Sequence, residues 1–403
     1  MANEYVSGTD EAVSQSDCQI IYQPDKSGDL KIDLQSKVAL MYDKSIKALA
    51  KQTLDELGIT HGRLSILDGG ALPFLIRARI EAAVKSAHPD LTVESLPELK
   101  EFTKYESTRD RFRRSRIYVP GSQAKLMLNV GIHKPDGVIL DLEDSVAPAE
   151  KPSARLIVRN ALRTLDFFGA ERMVRINQGD LGLEDLQAIV PTPVDLLLLP
   201  KIETVAEIDR IETEIARLST ECKRTRPIYL MPIIESARGI GNAYQIAAAS
   251  PNNVALAIGL EDYTADIGVQ RTLEGNESFY ARSVVVNAAR AAQLQPIATV
   301  FSDVQDMAGL RTAAVQAKAL GFDGMGAIHP RQIKVINEAF APDSTEIDKA
   351  CKIVLAFEDA ETRGLGVVSL GSKMIDPPVV KRALRIVDTA IAMGLLDADW
   401  RSA

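Results

Sequence analysis

From Ser115 onward the chain repeats one unit: a short apolar run, one or two polar residues, then a segment of helix length. The runs are RIYVP (116–120), GVILDLED (137–144), MVRIN (173–177), DLLLLPKIE (195–203), IYLMPIIE (228–235), VALAIGLED (254–262), PIATVFSD (296–303) and GMGAIH (324–329). Unbroken apolar runs alternating with helices mark parallel strands buried on both faces. Eight such runs over roughly 220 residues match the count and size of a closed (β/α)8 barrel, the TIM-barrel class. A doubly wound open sheet is the second choice, because the phosphate-binding glycine pattern it needs after its first strand is missing.

A barrel of this kind carries its chemistry at the C-terminal ends of its strands, and here those ends are polar. Asp141, Glu143 and Asp144 follow the second run, Arg175 and Asn177 the third, Lys201 and Glu203 the fourth. Ser302-Asp303 and His329 follow the last two. Glu235 and Asp262 end the fifth and sixth, about one repeat apart, so they belong on adjacent strand ends. Two converging carboxylates suit a hard divalent cation such as Mg2+, which leaves its remaining positions to water and substrate oxygens.

The flanks read separately. Residues 1–90 form a small α+β unit, with β-patterned runs at 18–24 and 30–35, a helix near 41–57, the strand RLSILDGG and a helix over 72–87. Residues 91–112 are charged and proline-punctuated and read as a linker with room for motion. The barrel occupies 113–343, and 344–403 adds two helices, 344–363 and 378–395, around the loop GVVSLGSKMIDPPV. The cluster RDRFRRSR (109–116) reads as a solvated linker or a patch for an anionic ligand or partner, and a net charge of −8 argues against nucleic acid. No run nears the roughly 18 apolar residues of a membrane span. Three scattered cysteines give neither a disulfide framework nor a zinc pattern. A cytoplasmic location is expected.

The motifs RSRIYVPG, VILDLEDSVAP, VRIN, LPKIE, PIIESARG, GLEDYTADIG, GFDGMGAIHPRQI and MIDPPV occur in this order from about 114 to 390. With them the chain resembles the β subunit of citrate lyase and its malyl-CoA, citramalyl-CoA and β-methylmalyl-CoA lyase relatives. The first 90 residues, through the early GT, the serine-aspartate element, KIDLQ and GGALPFLIRARIEA, resemble the γ subunit, a small acyl carrier protein. The resemblance implies a γ–β fusion that cleaves a citryl thioester to oxaloacetate and an acetyl thioester. It also implies a separate α subunit (acyltransferase) as partner and a homo-oligomeric assembly.

For individual residues, the resemblance makes Glu235 and Asp262 the Mg2+ ligands and Arg175 the group at the thioester oxygen. Asp376 becomes an acid/base reaching over from a neighbouring subunit's tail, although Asp-Pro by itself reads as the start of the last helix. Arg116, His329 and Arg331 are placed with substrate or carrier binding, and Asp141, Glu143 and Asp144 behind the metal and Arg175. The carrier's phosphoribosyl-dephospho-CoA arm is expected on a serine two residues before the aspartate. That position, counted from Asp17, is Gln15, so Ser14 or Ser16 is expected to bear the arm, with Ser14 preferred. Met325 stands where many relatives carry lysine.

The chemistry asks for these residue types. Breaking the Cα–Cβ bond of a 3-hydroxyacyl thioester is a retro-Claisen step. It needs a cation to polarise the hydroxyl and forming ketone, a second cation at the enolate oxygen, and an acid for the enolate carbon. The alternative within this chemistry is a lyase for free malyl-CoA or citramalyl-CoA with a non-functional carrier domain. Outside it, the N-terminal unit is an assembly module of a larger complex.

Overall fold

The computed structural model describes residues 3–8, 15–362, 368–370 and 373–402, so Ser14 lies outside the described residues. By its contacts the chain divides into two compact units, Met1–Lys334 and Val335–Ala403.

The N-terminal module holds β1 (Tyr5–Ser7), β2 (Cys18–Gln23), β3 (Leu30–Ser36) and β4 (Gly62–Asp68), in sheet order β1-β2-β4-β3. Helices α1 (Ala39–Glu56) and α2 (Pro73–Ala87) pack on this sheet. The short strand β1 pairs antiparallel with β2 and is not visible in the sequence pattern, because three residues carry no periodicity. Helix α2 opens on Pro73 in its first turn, where a missing N–H removes no helical bond. It is buried almost all round, Arg77, Arg79 and Glu81 included, because it lies between the sheet and the barrel.

Strands β5 (Ser115–Pro120), β6 (Gly137–Asp141), β7 (Glu171–Arg175), β8 (Leu196–Leu199), β9 (Tyr229–Ile234), β10 (Ala255–Ile258), β11 (Gln295–Ala298) and β12 (Gly324–Ala327) follow. They close into the expected eight-stranded parallel barrel, with β12 pairing β5 to complete the ring. Around and between them lie α3 (Ala124–Met127), α4 (Lys151–Thr164), α5 (Gly179–Ile189), α6 (Val205–Glu221), α7 (Ala237–Gly241) and α8 (Ala243–Ala248). Then come α9 (Leu260–Asp266), α10 (Phe279–Ala291), α11 (Met307–Leu320) and α12 (Pro330–Phe340). Ile139, Met173, Leu196, Leu198, Met231 and Ile233 fill the interior, giving the layered core such barrels need. Apart from β5 and β9, the strands end two to five residues before the apolar runs suggested, because the rim loops and helices begin within those runs: α9, for example, already starts at Leu260.

The linker differs from expectation. Its side chains are tied down: Arg159 of α4 donates to both carboxylate oxygens of Glu81 on α2, at 3.0 and 2.6 Å, and to Glu94 at 2.8 Å. Arg159 and Glu81 are 2% and 0% exposed, so the ion pair is sealed between module and barrel. Burial pushes the Glu81 carboxyl up, but the Arg159 guanidinium and then Lys85 outweigh it and hold it below the ordinary range. The connection is therefore tied to α4 at Glu94, Ser95 and Pro97.

Much of the basic cluster is likewise tied into the barrel, with Arg109 and Asp110 still exposed. Arg113 grips Glu171 in a fully buried pair, and Arg114 grips Asp136. Arg109 donates to the carbonyls of Pro251 and Asn253, and Arg111 to those of Asp136 and Gly169. These partners precede or begin strands β6, β7 and β10, so the arginines lace the N-terminal end of the barrel.

The second unit, taken by itself, packs α13 (Ser344–Thr362) against α14 (Pro377–Ala392) around Ala350, Val354, Ala383, Val387 and Trp400. Between the helices, β13 (Val368–Leu370) pairs antiparallel with β14 (Lys373–Ile375). Among the described residues no helix is long and apolar enough to cross a membrane.

Candidate active site

The C-terminal ends of β5, β6, β7, β9 and β10 surround a cavity of about 360 Å3, lined among others by Tyr118, Asp141, Arg175, Glu235 and Asp262. Glu235 follows β9 and is 6% exposed. Its Oε2 accepts the Lys201 backbone N–H at 2.9 Å. Its other oxygen lies against the backbone of Gly259, where a Cβ would stand 2.2 Å from Oε1. Only glycine leaves room for the carboxylate there. Asp262, in the first turn of α9, lies 3.4 Å from Lys201 Nζ. Lys201 therefore joins the two acids, one through its backbone and one through its ammonium group.

Lys201 has φ of 51°, in the left-handed region rarely used by residues with a side chain. Strain of this kind persists where the surroundings enforce it. Its ammonium also lies 3.5 Å from Glu143 and 3.9 Å from Asp144, so a cation already sits among three carboxylates.

Arg175, at the end of β7, donates to Asp141 Oδ1 and Oδ2, both at 2.7 Å, and to Asp144 at 3.1 Å. Its Nη1 is 2.9 Å from Glu143 Oε2, and its guanidinium stands 5.2 Å from the centre of the Tyr118 ring. Burial opposes its charge, but Asp141 outweighs that and drives its pKa further up. Burial also pushes Asp141 up, yet Arg175, then Ser145 and the Glu143 N–H, hold it below the ordinary carboxylate range. Glu143 goes the other way, raised by burial and by Asp144 beside it. For Glu235, burial lifts the carboxyl to about 7. The Lys201 N–H pulls it back, and Asp262 and Glu143 add repulsion.

The donor set therefore fits a divalent cation. Five carboxyl groups (Asp141, Glu143, Asp144, Glu235, Asp262) meet two cationic side chains, Arg175 and Lys201. Glu235 is buried and repelled by its acidic neighbours, and Gly259 leaves space for it. Among the described residues no group of three or more His, Cys, Asp or Glu is arranged to enclose a metal.

Other expected residues fall elsewhere. His329 and Arg331 lie in the turn from β12 into α12, where His329 Nδ1 accepts the Arg331 N–H at 3.2 Å. Gln332, fully buried, accepts the N–H groups of Ile328 and His329 and donates to the Phe301 carbonyl, so it shapes that turn. Glu203 accepts the Ser236 hydroxyl at 2.6 Å, and Asn177 donates to Asp185. Asp376 caps α14 by accepting the Val379 N–H at 3.2 Å, the helix-start reading of Asp-Pro. Arg116 lines the cavity but lies inside the barrel, away from the rim, and is 2% exposed. In the module, Ser16 has φ of 68° and Asp17 forms two 2.9 Å hydrogen bonds with Arg79. Gln15 accepts Lys125 Nζ at 3.4 Å from α3, which puts this segment beside the barrel's C-terminal end. Lys201 and Gln332 had no assigned role in the sequence; only the position of LPKIE at a strand end pointed to the first.

Comparison with known proteins places this geometry. A family model described as HpcH/HpaI aldolase/citrate lyase matches residues 114–330, and one described as malonate decarboxylase delta subunit (MdcD), an ACP model, matches 3–87. The citrate lyase subunit beta of Leuconostoc mesenteroides subsp. cremoris is 39% identical, over 72% of this chain and 97% of that protein. An L-malyl-CoA/beta-methylmalyl-CoA lyase of Cereibacter sphaeroides is 33% identical, over 70% and 95%. The protein CitE of Mycobacterium tuberculosis, solved with magnesium, acetoacetate and coenzyme A, superposes with a TM-score of 0.60 at 30% identity, covering 70% of this chain and 99% of that one.

Proposed function

The chain belongs to the HpcH/HpaI aldolase/citrate lyase family, and on that footing we propose that it is a Mg2+-dependent carbon–carbon lyase that cleaves a citryl thioester to oxaloacetate and an acetyl thioester. The observation that carries this reading is the single cavity holding Glu235, Asp262 and Arg175, joined by Lys201. The magnesium in the Mycobacterium tuberculosis relative and the donor set here support Glu235 and Asp262 as its ligands.

A bound Mg2+ supplies Lewis-acid polarisation of the substrate's hydroxyl and neighbouring carboxylate. As the Cα–Cβ bond breaks, its electron pair passes into the thioester as an enolate, while the hydroxyl proton passes to a carboxylate base, a role assigned to Asp376, which then returns it to the enolate carbon. Arg175 is assigned to the enolate oxygen, a role suited to a planar, permanently charged donor. Asp141 fixes its orientation through two hydrogen bonds, and the Tyr118 ring backs it. Lys201 positions Glu235 through its backbone and balances Asp262 with its ammonium. Asp376, from a neighbouring copy's tail, is assigned the protonation of the enolate carbon; in its own chain one of its oxygens caps α14.

The N-terminal module is proposed as a fused acyl carrier, modified at Ser14 or Ser16 with phosphoribosyl-dephospho-CoA. The ACP-type match and the seat of Gln15 beside α3 support it. A fused carrier raises the local concentration of thioester at the barrel. On the family resemblance a separate acyltransferase subunit is the implied partner, and a homo-oligomer is implied if Asp376 acts across copies. The test is oxaloacetate release from a citryl thioester with and without Mg2+. Wild-type protein is expected to require the ion and Glu235→Gln to lose turnover by several orders of magnitude; turnover that survives either change removes the reading.

A further inference from the structure

Most arginines at this barrel's strand ends are paired: Arg113 with Glu171, Arg114 with Asp136, Arg175 with Asp141. Arg116 on β5 is the exception. It is 2% exposed, its Nη1 reaches only the Met231 sulfur at 3.2 Å, and its Nε has no acceptor. No carboxylate of the described residues pairs with it, because the acids nearest to it in charge, Glu171 and Asp136, are held by Arg113 and Arg114. Burial pulls the guanidinium down only to about 10, so it is a cation at neutral pH. A buried charge without a counter-ion is strongly unfavourable, and a fold keeps one only where something offsets it.

Arg116 lines the same cavity as Glu235, Asp262 and Arg175. It precedes Tyr118 by two residues on one strand, so it lies on the same inward face about 6–7 Å deeper in the barrel. From rim to floor the order is Arg175, Tyr118, Arg116. The walls between are apolar or small: Ile233, Ala257, Ala298 and Gly326. The space is suited to a small acid whose far end is an anion, and a planar fork of donors matches a carboxylate in particular.

We propose that Arg116 is the receptor for a second carboxylate on the 2-oxo-acid half of the substrate, and so selects a diacid such as oxaloacetate over a monoacid. The inference rests on the lyase reading for the kind of acid concerned. In a citryl thioester the carbon bearing the hydroxyl also carries a carboxymethyl arm. In a citramalyl thioester that arm is a methyl group, and in a malyl thioester it is hydrogen. The carboxylate next to the hydroxyl stays with the metal end of the cavity, and the distal carboxylate is the group that reaches Arg116. Arg116 is thus a specificity determinant between substrates that share one bond-breaking step.

The experiment compares oxaloacetate with pyruvate by calorimetric binding in the presence of Mg2+, on the full chain and on Arg116→Met, Arg116→Gln and Arg116→Lys. Wild-type protein is expected to prefer oxaloacetate at least about thirtyfold, the lower end for losing one partner of a buried charge pair. In Arg116→Met and Arg116→Gln the preference falls to near one while pyruvate binding is unchanged, and Arg116→Lys keeps part of it. Equal binding of the two acids by wild-type protein overturns the proposal, as does a preference that survives in any folded variant lacking the charge. Turnover of citryl and citramalyl thioesters is read alongside. A wild-type chain that discriminates between the acids but cleaves neither thioester removes the lyase reading and leaves the receptor standing.

Discussion

On the proposed ligand assignment, Glu235 makes metal binding depend on pH in a way that can be worked out. Without a metal its carboxyl sits at about 7 against an ordinary 4.5, and only the ionised form can ligate. Proton competition weakens apparent Mg2+ affinity by 1 + 10^(pKa − pH), which is about elevenfold at pH 6 and about 1.1-fold at pH 8. The dissociation constant is therefore expected to tighten about tenfold between those values, with about 0.9 proton released per ion at pH 6 and about 0.1 at pH 8. Calorimetry in two buffers of different ionisation enthalpy reads both quantities. Stability follows with the opposite sign. The folded protein holds this proton more tightly than the unfolded chain, so Glu235's contribution is present at low pH and is lost as pH rises from about 4.5 to 7, by roughly 3 kcal/mol. Thermal unfolding of the metal-free protein against Glu235→Gln isolates that loss, and added Mg2+ stabilises more at pH 8 than at pH 6. An affinity that changes less than twofold between pH 6 and 8, with no proton released, refutes the reasoning.

Gly259→Ala is expected to weaken Mg2+ binding by about tenfold or more, since its Cβ would meet Glu235 Oε1 at 2.2 Å; calorimetry checks it, and wild-type affinity would mean the carboxylate does not use that space. Glu81→Ala leaves the buried Arg159 with only the part-exposed Glu94 as a carboxylate partner, and is expected to destabilise by up to about 3 kcal/mol. The double change Glu81→Met with Arg159→Met is expected to recover most of that in thermal melts. Peptide mass mapping of the chain isolated with its modifying enzyme is expected to find a phosphoribosyl-dephospho-CoA adduct at Ser14, and its absence from both Ser14 and Ser16 removes the carrier assignment.

Much of the barrel is readable from sequence because strands buried on both faces must be continuously apolar: LLLL at 196–199 allows little else. The acidic rim is readable for the same reason, since Glu235 and Asp262 interrupt apolar runs at matching points. What the sequence does not carry is pairing at a distance. Glu81 looks like a solvent-facing residue of an amphipathic helix until Arg159, far along the chain, is placed against it. The string RDRFRRSR looks wet for the same reason, and its arginines separate into paired and unpaired only once Glu171 and Asp136 come round the ring. Lys201 is hidden for a different reason: a left-handed lysine is set by the loop around it, and residue type alone gives no sign of it.

The seam between α2 and α4 has a consequence for traffic. On the proposed carrier reading, the holder is moored by an ionised bolt that water does not reach, a fixed berth with no swinging crane. Whatever is loaded there travels only as far as its own tether extends, and any second enzyme that exchanges the load has to come alongside this flank of the molecule.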